Sequence, residues 1–215
     1  MPRSRDNLVR ALLSAYGRTY AEEAGIRLVD RPGPLFQLLV LTMLLSKRIT
    51  AEVALAAARE LFDAGYRTPQ SMMDASWQDR VDALGRGHYR RYDESTSTLL
   101  AKSAQHCQQR WGGDLRRLRR EADGDRRRLR ALLTEFPGIG PTGADIFTRE
   151  VQAVWPEYRP SVDAKVTAGA QALHLAPASI PDLASPAEMP RLTSALVRAG
   201  RARRLPDDLQ AQIKQ

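Results

Sequence analysis

The chain has one cysteine, Cys107. That excludes an internal disulfide, an iron–sulfur cluster on four thiolates and a zinc site of several thiolates. No apolar run approaches the roughly 20 residues that cross a bilayer. The opening MPRSRDNLVRALLSAYG has no apolar stretch long enough for a secretory signal. The expectation is a protein without a membrane, cytoplasmic, and nucleoid-associated if bacterial. Alternating strand patterns and internal repeats are missing too, and the three- and four-residue apolar spacing predicts an all-α chain of ten to twelve short helices.

What is present is positive charge. Over 215 residues the formal net charge is +8 and the isoelectric point about 10.1, with arginine the main contributor. A basic folded chain suggests a polyanion partner, most often nucleic acid. The size allows one compact domain or two lobes sharing a chain.

The periodicity predicts a helix over 6–24, and a break at RPGPL (31–35). LFQLLVLTMLLS (35–46), apolar almost all round, reads as a buried core helix. TAEVALAAARELFDAG (50–65) follows, with Thr50 as N-cap and Gly65 as stop. Two short helices precede a long one from about Arg91 to Trp111. Residues 176–187 read as a Pro/Ala/Ser linker. Trp77, Trp111 and Trp155 are expected in the core or at a lobe junction. The run DLRRLRREADGDRRRLR (114–130) holds eight arginines and four acids. Its leucines keep a helical stripe, so it reads as a solvated helix–turn–helix, or alternatively as a phosphate-facing surface.

FPGIGPTGAD (136–145) has two glycines and two prolines within five residues, between two helical runs. Glycines without Cβ let a phosphate approach the main chain, and the amides that open the next helix point outward with the positive end of its dipole. Helix, Pro-Gly-x-Gly turn and second helix read as a helix-hairpin-helix, which would hold a DNA backbone through Gly138, Ile139, Gly140, Thr142 and Gly143 without reading sequence. An ordinary αα-hairpin is the other reading of the same ten residues.

Twenty residues after Gly143 stands Asp163, in RPSVDAKV (159–166). The pair of segments resembles the helix-hairpin-helix DNA glycosylase superfamily, in its endonuclease III-like branch. LFQLLVLTMLLSKRIT (35–50) and LGRGHYRRYDESTSTLLAKSAQHC (84–107) are similar to that family's segments as well, so the likeness spans about residues 30–170. It implies a two-lobed all-α fold with a DNA cleft between the lobes. A helical barrel over 29–156 would carry the hairpin (about 131–153), and residues 1–28 with 157–215 would form the second lobe. It implies a monomer on double-stranded DNA with a damaged base, which is flipped out and cut at its N-glycosidic bond. Asp163 matches the family's catalytic aspartate. A carboxylate there would stabilise oxocarbenium character on the sugar, and orient or deprotonate water. As a residue near a helix start it is also a natural helix cap.

Three departures matter. Thr142 stands where bifunctional members carry a lysine that attacks C1′, so the resemblance points to a monofunctional enzyme. A lyase using another amine (Lys165 or Lys47) and a non-catalytic DNA binder are the alternatives. Lys165 lies two residues past Asp163, about 200° around a helix, and reads as a phosphate, pocket or salt-bridge contact. Second, residues 176–215 lack the four cluster cysteines of many relatives and offer VRAGRARRLP (197–206) instead. No metal or other cofactor is expected, though a monovalent cation on the hairpin carbonyls fits the family. Third, the polar side chain that fills the gap left by a flipped base falls to Lys47 or Arg48, with His88 and Tyr89 as a second wedge; each also reads as an ordinary surface or core residue.

Overall fold

The structure, a computed structural model, describes residues 2–213. Among the described residues there are thirteen α-helices: α1 (Pro2–Tyr16), α2 (Tyr20–Glu23), α3 (Pro32–Leu45), α4 (Ala51–Asp63), α5 (Pro69–Asp74), α6 (Trp77–Arg86), α7 (Asp93–Trp111), α8 (Leu115–Ala122), α9 (Arg126–Thr134), α10 (Pro141–Val151), α11 (Ala164–Ala172), α12 (Met189–Ala199) and α13 (Asp207–Ile213). Short 3-10 turns lie at Pro156–Tyr158 and Pro177–Asp182. There is no strand among the described residues. The chain is all-α, with more helices than expected because several breaks are sharper than periodicity reveals. The expected helix over 6–24 is two helices. Thr19 opens α2 with a capping box, its hydroxyl taking the Glu22 amide and the Glu22 carboxylate taking the Thr19 amide at 2.8 Å.

Two hydrophobic cores divide the molecule. The larger is built around α3, whose Leu35, Phe36, Leu38, Leu39, Leu41 and Leu44 are all buried, as an all-round apolar helix requires. Helices α4, α6, α7, α8, α9 and α10 add buried side chains to it. The smaller core joins Leu8, Val9 and Leu12 of α1 to α11, α12 and Leu209 of α13. Tyr20, Ala21, Ala24, Ile26 and Tyr158 belong to the larger core. The larger core thus takes in side chains from α2 onward and extends to Tyr158. The expected linker at 176–187 is partly ordered as a 3-10 turn, with Ile180 buried in the smaller core.

The arginine-rich run is a capped helix–turn–helix. Asp114 caps α8 and Asp125 caps α9 through side-chain bonds to main-chain amides. Between the helices Asp123 takes a left-handed conformation at φ 48°. Leu115, Leu118, Leu129, Leu132 and Leu133 are fully buried. Two of the run's four acids are thus caps, and Glu121 bonds Arg110, Arg128 and the Trp111 indole. Trp111 and Trp155 are core residues, whereas Trp77 is 43% exposed and donates its indole N–H to Thr98.

Candidate functional site

The turn between α9 and α10 has the backbone that its glycines allow. Gly138 has φ +90°, and a Cβ there would lie 3.1 Å from Met43 Cε and 3.2 Å from Leu99 Cδ1. Gly140 is the N-cap of α10 in extended conformation, with Pro141 in the first helical position. The Ser103 hydroxyl donates to the Pro137 carbonyl at 2.6 Å and ties the turn to α7. Among the described residues the amides of Gly138, Gly140, Thr142 and Gly143 have no acceptor. Ile139 differs. Its amide donates to the Phe136 carbonyl at 3.0 Å and its side chain is buried. The Ile139 N–H, expected to face a backbone phosphate, closes the turn instead. The carbonyls of Phe136, Pro137 and Gly140 in the hairpin are already engaged, by the Ile139 amide, the Ser103 hydroxyl and the Ala144 amide.

Helix α10 acts as a ruler. Its first amides sit in the turn, and Arg149, eight residues along from Pro141, lies about 12 Å further down the axis at the usual helical rise. Arg149 Nη1 donates to Asp163 Oδ2. The pair is enclosed: the side chains are 1% exposed for Arg149 and 10% for Asp163. Asp163 is also the N-cap of α11, Oδ1 accepting the amides of Lys165 at 2.7 Å and Val166 at 2.9 Å. The cap reading and the site reading therefore describe one carboxylate, with one oxygen for each task.

The loop that presents Asp163 is strapped on both sides. Arg126, from α9, donates to the carbonyls of Tyr158 and Pro160, each at 2.8 Å. The Gln152 side-chain oxygen accepts the Ser161 amide at 2.9 Å, while its nitrogen donates to Thr193 of α12 at 2.8 Å. Arg159 folds back onto the carbonyls of Gln152 and Ala153. The loop includes a cis peptide at Arg159–Pro160.

These straps leave a cleft of about 370 Å³ between the two cores. It is lined by Arg126, Arg127 and Arg130 of α9, by Asp145 and Thr148 of α10, and by the 161–164 segment. Val162, 37% exposed, is an unusual apolar residue at this edge. Arg130 Nη1 donates to Asp145 Oδ1. Burial pushes the Asp145 carboxyl up and the neighbouring Asp163 charge adds to that, against the pull of Arg130. Lys165 is half-buried nearby. Burial lowers its ammonium, as do the Arg201 and Arg149 charges, and Asp163 and Asp145 oppose them.

The remaining site candidates are distributed differently. A Cβ on Gly143 would lie 3.6 Å from Thr42 Cγ2 and 3.7 Å from Ser46 Cβ, so the hairpin sits against the end of α3 where Lys47 and Arg48 follow. Arg48 is exposed and Lys47 half-buried, and neither lines the Asp163 cleft. His88 is exposed in a left-handed conformation at φ 61°. Tyr89 is 1% exposed, its hydroxyl 3.3 Å from Thr96, and burial pushes that hydroxyl up to about 12. It packs as a core residue, the other of its two sequence readings. Among the described residues no group of three or more His, Cys, Asp or Glu side chains is placed to hold a metal, and no helix is long and apolar enough to cross a membrane.

Sequence reasoning missed Arg149 and Asp145, whereas the arginine wall belongs to the run 114–130, for which a phosphate-facing surface is the alternative reading. One signal was available: Arg149 and Glu150 are adjacent charges in a largely apolar helical run, IFTREVQAVW.

No family model matches the chain, and no curated protein matches it. It is similar to the solved structure of a trapped endonuclease III–DNA covalent intermediate, an estranged-adenine complex. That likeness has a TM-score of 0.48 at 16% identity, over 89% of this chain and 84% of the other.

Proposed function

We propose that the protein is a DNA glycosylase of base excision repair. It would hold double-stranded DNA on the hairpin amides, take a flipped damaged nucleotide into the Asp163 cleft, and hydrolyse its N-glycosidic bond. The observation that carries this reading is the coupling through α10: unpaired amides at one end, and at the other an arginine that fixes a carboxylate beside a cleft. The amides and helix dipole suit a phosphate. The carboxylate suits a sugar that turns cationic as its base departs. Both Asp163 oxygens already hold hydrogen bonds. Its contribution is therefore a fixed negative field and the positioning of water rather than the motion of a free base.

Thr142 carries no amine, and the reading is of a monofunctional enzyme, a monomer acting without a cofactor. Lys165 is the one specific support for a lyase: a lysine whose ammonium is lowered, within electrostatic reach of Asp163.

The test is cleavage of a duplex panel, each member with one damaged base, with and without hot alkali. Wild type should cut one or more duplexes only after alkali, and the paired variant Asp163→Asn/Arg149→Met should cut none. Cuts without alkali, abolished by Lys165→Ala, would establish the lyase. No cuts by wild type on any duplex would sink the glycosylase reading.

A further inference from the structure

The cleft is electrically lopsided. Three arginines stand on the α9 side, and two aspartates on the α10–α11 side. A nucleotide losing its base has the same polarity, with a phosphate anion at one end and a sugar gaining positive charge at the other. The three arginines are not equivalent. Arg126 is committed to the Tyr158 and Pro160 carbonyls and positions the loop before Asp163. Arg130 gives one nitrogen to Asp145 and remains half-exposed. A guanidinium has five N–H donors in a planar fork, so the others stay available to a second anion. Arg127 has no carboxylate or carbonyl partner among the described residues, and it is exposed at the cleft. Arg127 and Arg130 are three apart on one helix, which makes them neighbours on its surface.

We propose that Arg127 and Arg130 form a phosphate seat across the cleft from Asp163, and that it takes a phosphodiester flanking the extruded nucleotide. The seat rests on the glycosylase reading and adds a substrate contact to it: the hairpin amides hold the duplex, and this seat holds the strand at the reacting nucleotide. It also explains a geometric economy, since the wall that meets the phosphate is the same helix whose Arg126 fixes the loop that carries Asp163.

The probe is a duplex with one tetrahydrofuran abasic analogue, which needs no knowledge of the damaged base. Binding is followed by fluorescence anisotropy at low salt. The same duplex is made with a neutral methylphosphonate in place of the phosphate on the 5′ or the 3′ side of the analogue. Wild type should prefer the abasic duplex to an undamaged one. Arg127→Ala should weaken abasic binding by about tenfold, the scale of one lost phosphate contact. One of the two methylphosphonates should weaken wild type by a similar factor and weaken Arg127→Ala clearly less, because only the Arg130 contact is left to lose. Arg120→Ala, an exposed arginine of α8 outside the cleft, should combine with that methylphosphonate multiplicatively. If Arg127→Ala and both methylphosphonates also multiply, the seat is overturned while the glycosylase reading stands. If wild type shows no preference for the abasic duplex, both fall together, before any variant is compared.

Discussion

At the scale of single residues, the enclosed Arg149–Asp163 pair is where stability and the proposed chemistry meet. Breaking a buried pair leaves an uncompensated charge and costs about 3 kcal/mol or more, whereas replacing both partners with uncharged groups is close to neutral. Asp163→Asn keeps an oxygen for the α11 cap but leaves Arg149 buried and unopposed. It should lose about 3 kcal/mol in urea unfolding, and Asp163→Asn/Arg149→Met should recover most of that while base release stays absent. A single variant that unfolds at the wild-type urea concentration would show that Arg149 finds another partner. This pair also marks the limit of legibility. Asp163 could be picked out because its distance from the hairpin is written in the chain. Arg149 could not, because its role depends on a side chain fourteen residues on that folds back against the same helix. Tyr89 shows the same limit: an aromatic in a polar string, GHYRR, reads equally as a surface wedge or a core residue, and its burial against Thr96 of α7 is not written locally.

At the scale of elements, the two hairpin glycines separate folding from binding. Gly138 lies in the left-handed region and a methyl there would crowd Met43 and Leu99. Gly138→Ala should therefore cost about 1–3 kcal/mol of stability. Gly140 has φ −98° and open space where a Cβ would go, so Gly140→Ala should leave the urea midpoint almost unchanged. A methyl at that point would stand between a phosphate and the α10 amides. Affinity for duplex DNA should drop by about tenfold, the scale of one lost phosphate contact. Unaltered affinity would mean that the DNA does not approach this turn. The same helix carries a second test at its junction with α2 and α12. Glu150 is buried, with Oε2 accepting the Ala21 amide at 2.9 Å. Burial raises its carboxyl, opposed by the Ala21 bond and by Arg149. The folded state then holds this proton more tightly than the unfolded chain does. Stability from this group is complete below the unfolded value of about 4.3 and declines as pH climbs through the raised folded value. Between pH 5 and pH 8, Glu150→Gln should gain on wild type in urea unfolding as pH rises, and a constant gap would contradict the raised carboxyl. Element types were readable because caps and apolar stripes are local. Lobe membership was not, because α2 joins the larger core through contacts with distant segments, including Glu150 itself.

At the scale of the whole molecule, the question is what the +8 charge is for. Composition alone supports only a polyanion partner. The fold divides the arginines into two populations that no sequence pattern distinguishes. Some are internal fasteners: Arg80 on the Met72 and Ala75 carbonyls, Arg119 between Asp30 and Glu157, Arg126 and Arg159 on the loop before Asp163, Arg198 on Glu23. Others are exposed without a carboxylate partner among the described residues, including Arg48, Arg90, Arg117, Arg120, Arg127, Arg201 and Arg203. The second population, joined by Arg130 through the donors it does not give to Asp145, is free to displace counterions from DNA. If about six of these cations meet phosphates, the logarithm of the association constant should fall with the logarithm of salt at a slope of about −5, and affinity should drop by roughly 10³ between 50 and 200 mM salt. Arg127→Ala should make that slope shallower by about one unit, and Arg119→Ala, which removes a fastener, should leave it unchanged while lowering stability. An affinity that stays flat across this salt range would mean that the free arginines do not face phosphate, and would remove DNA as the partner of the cleft.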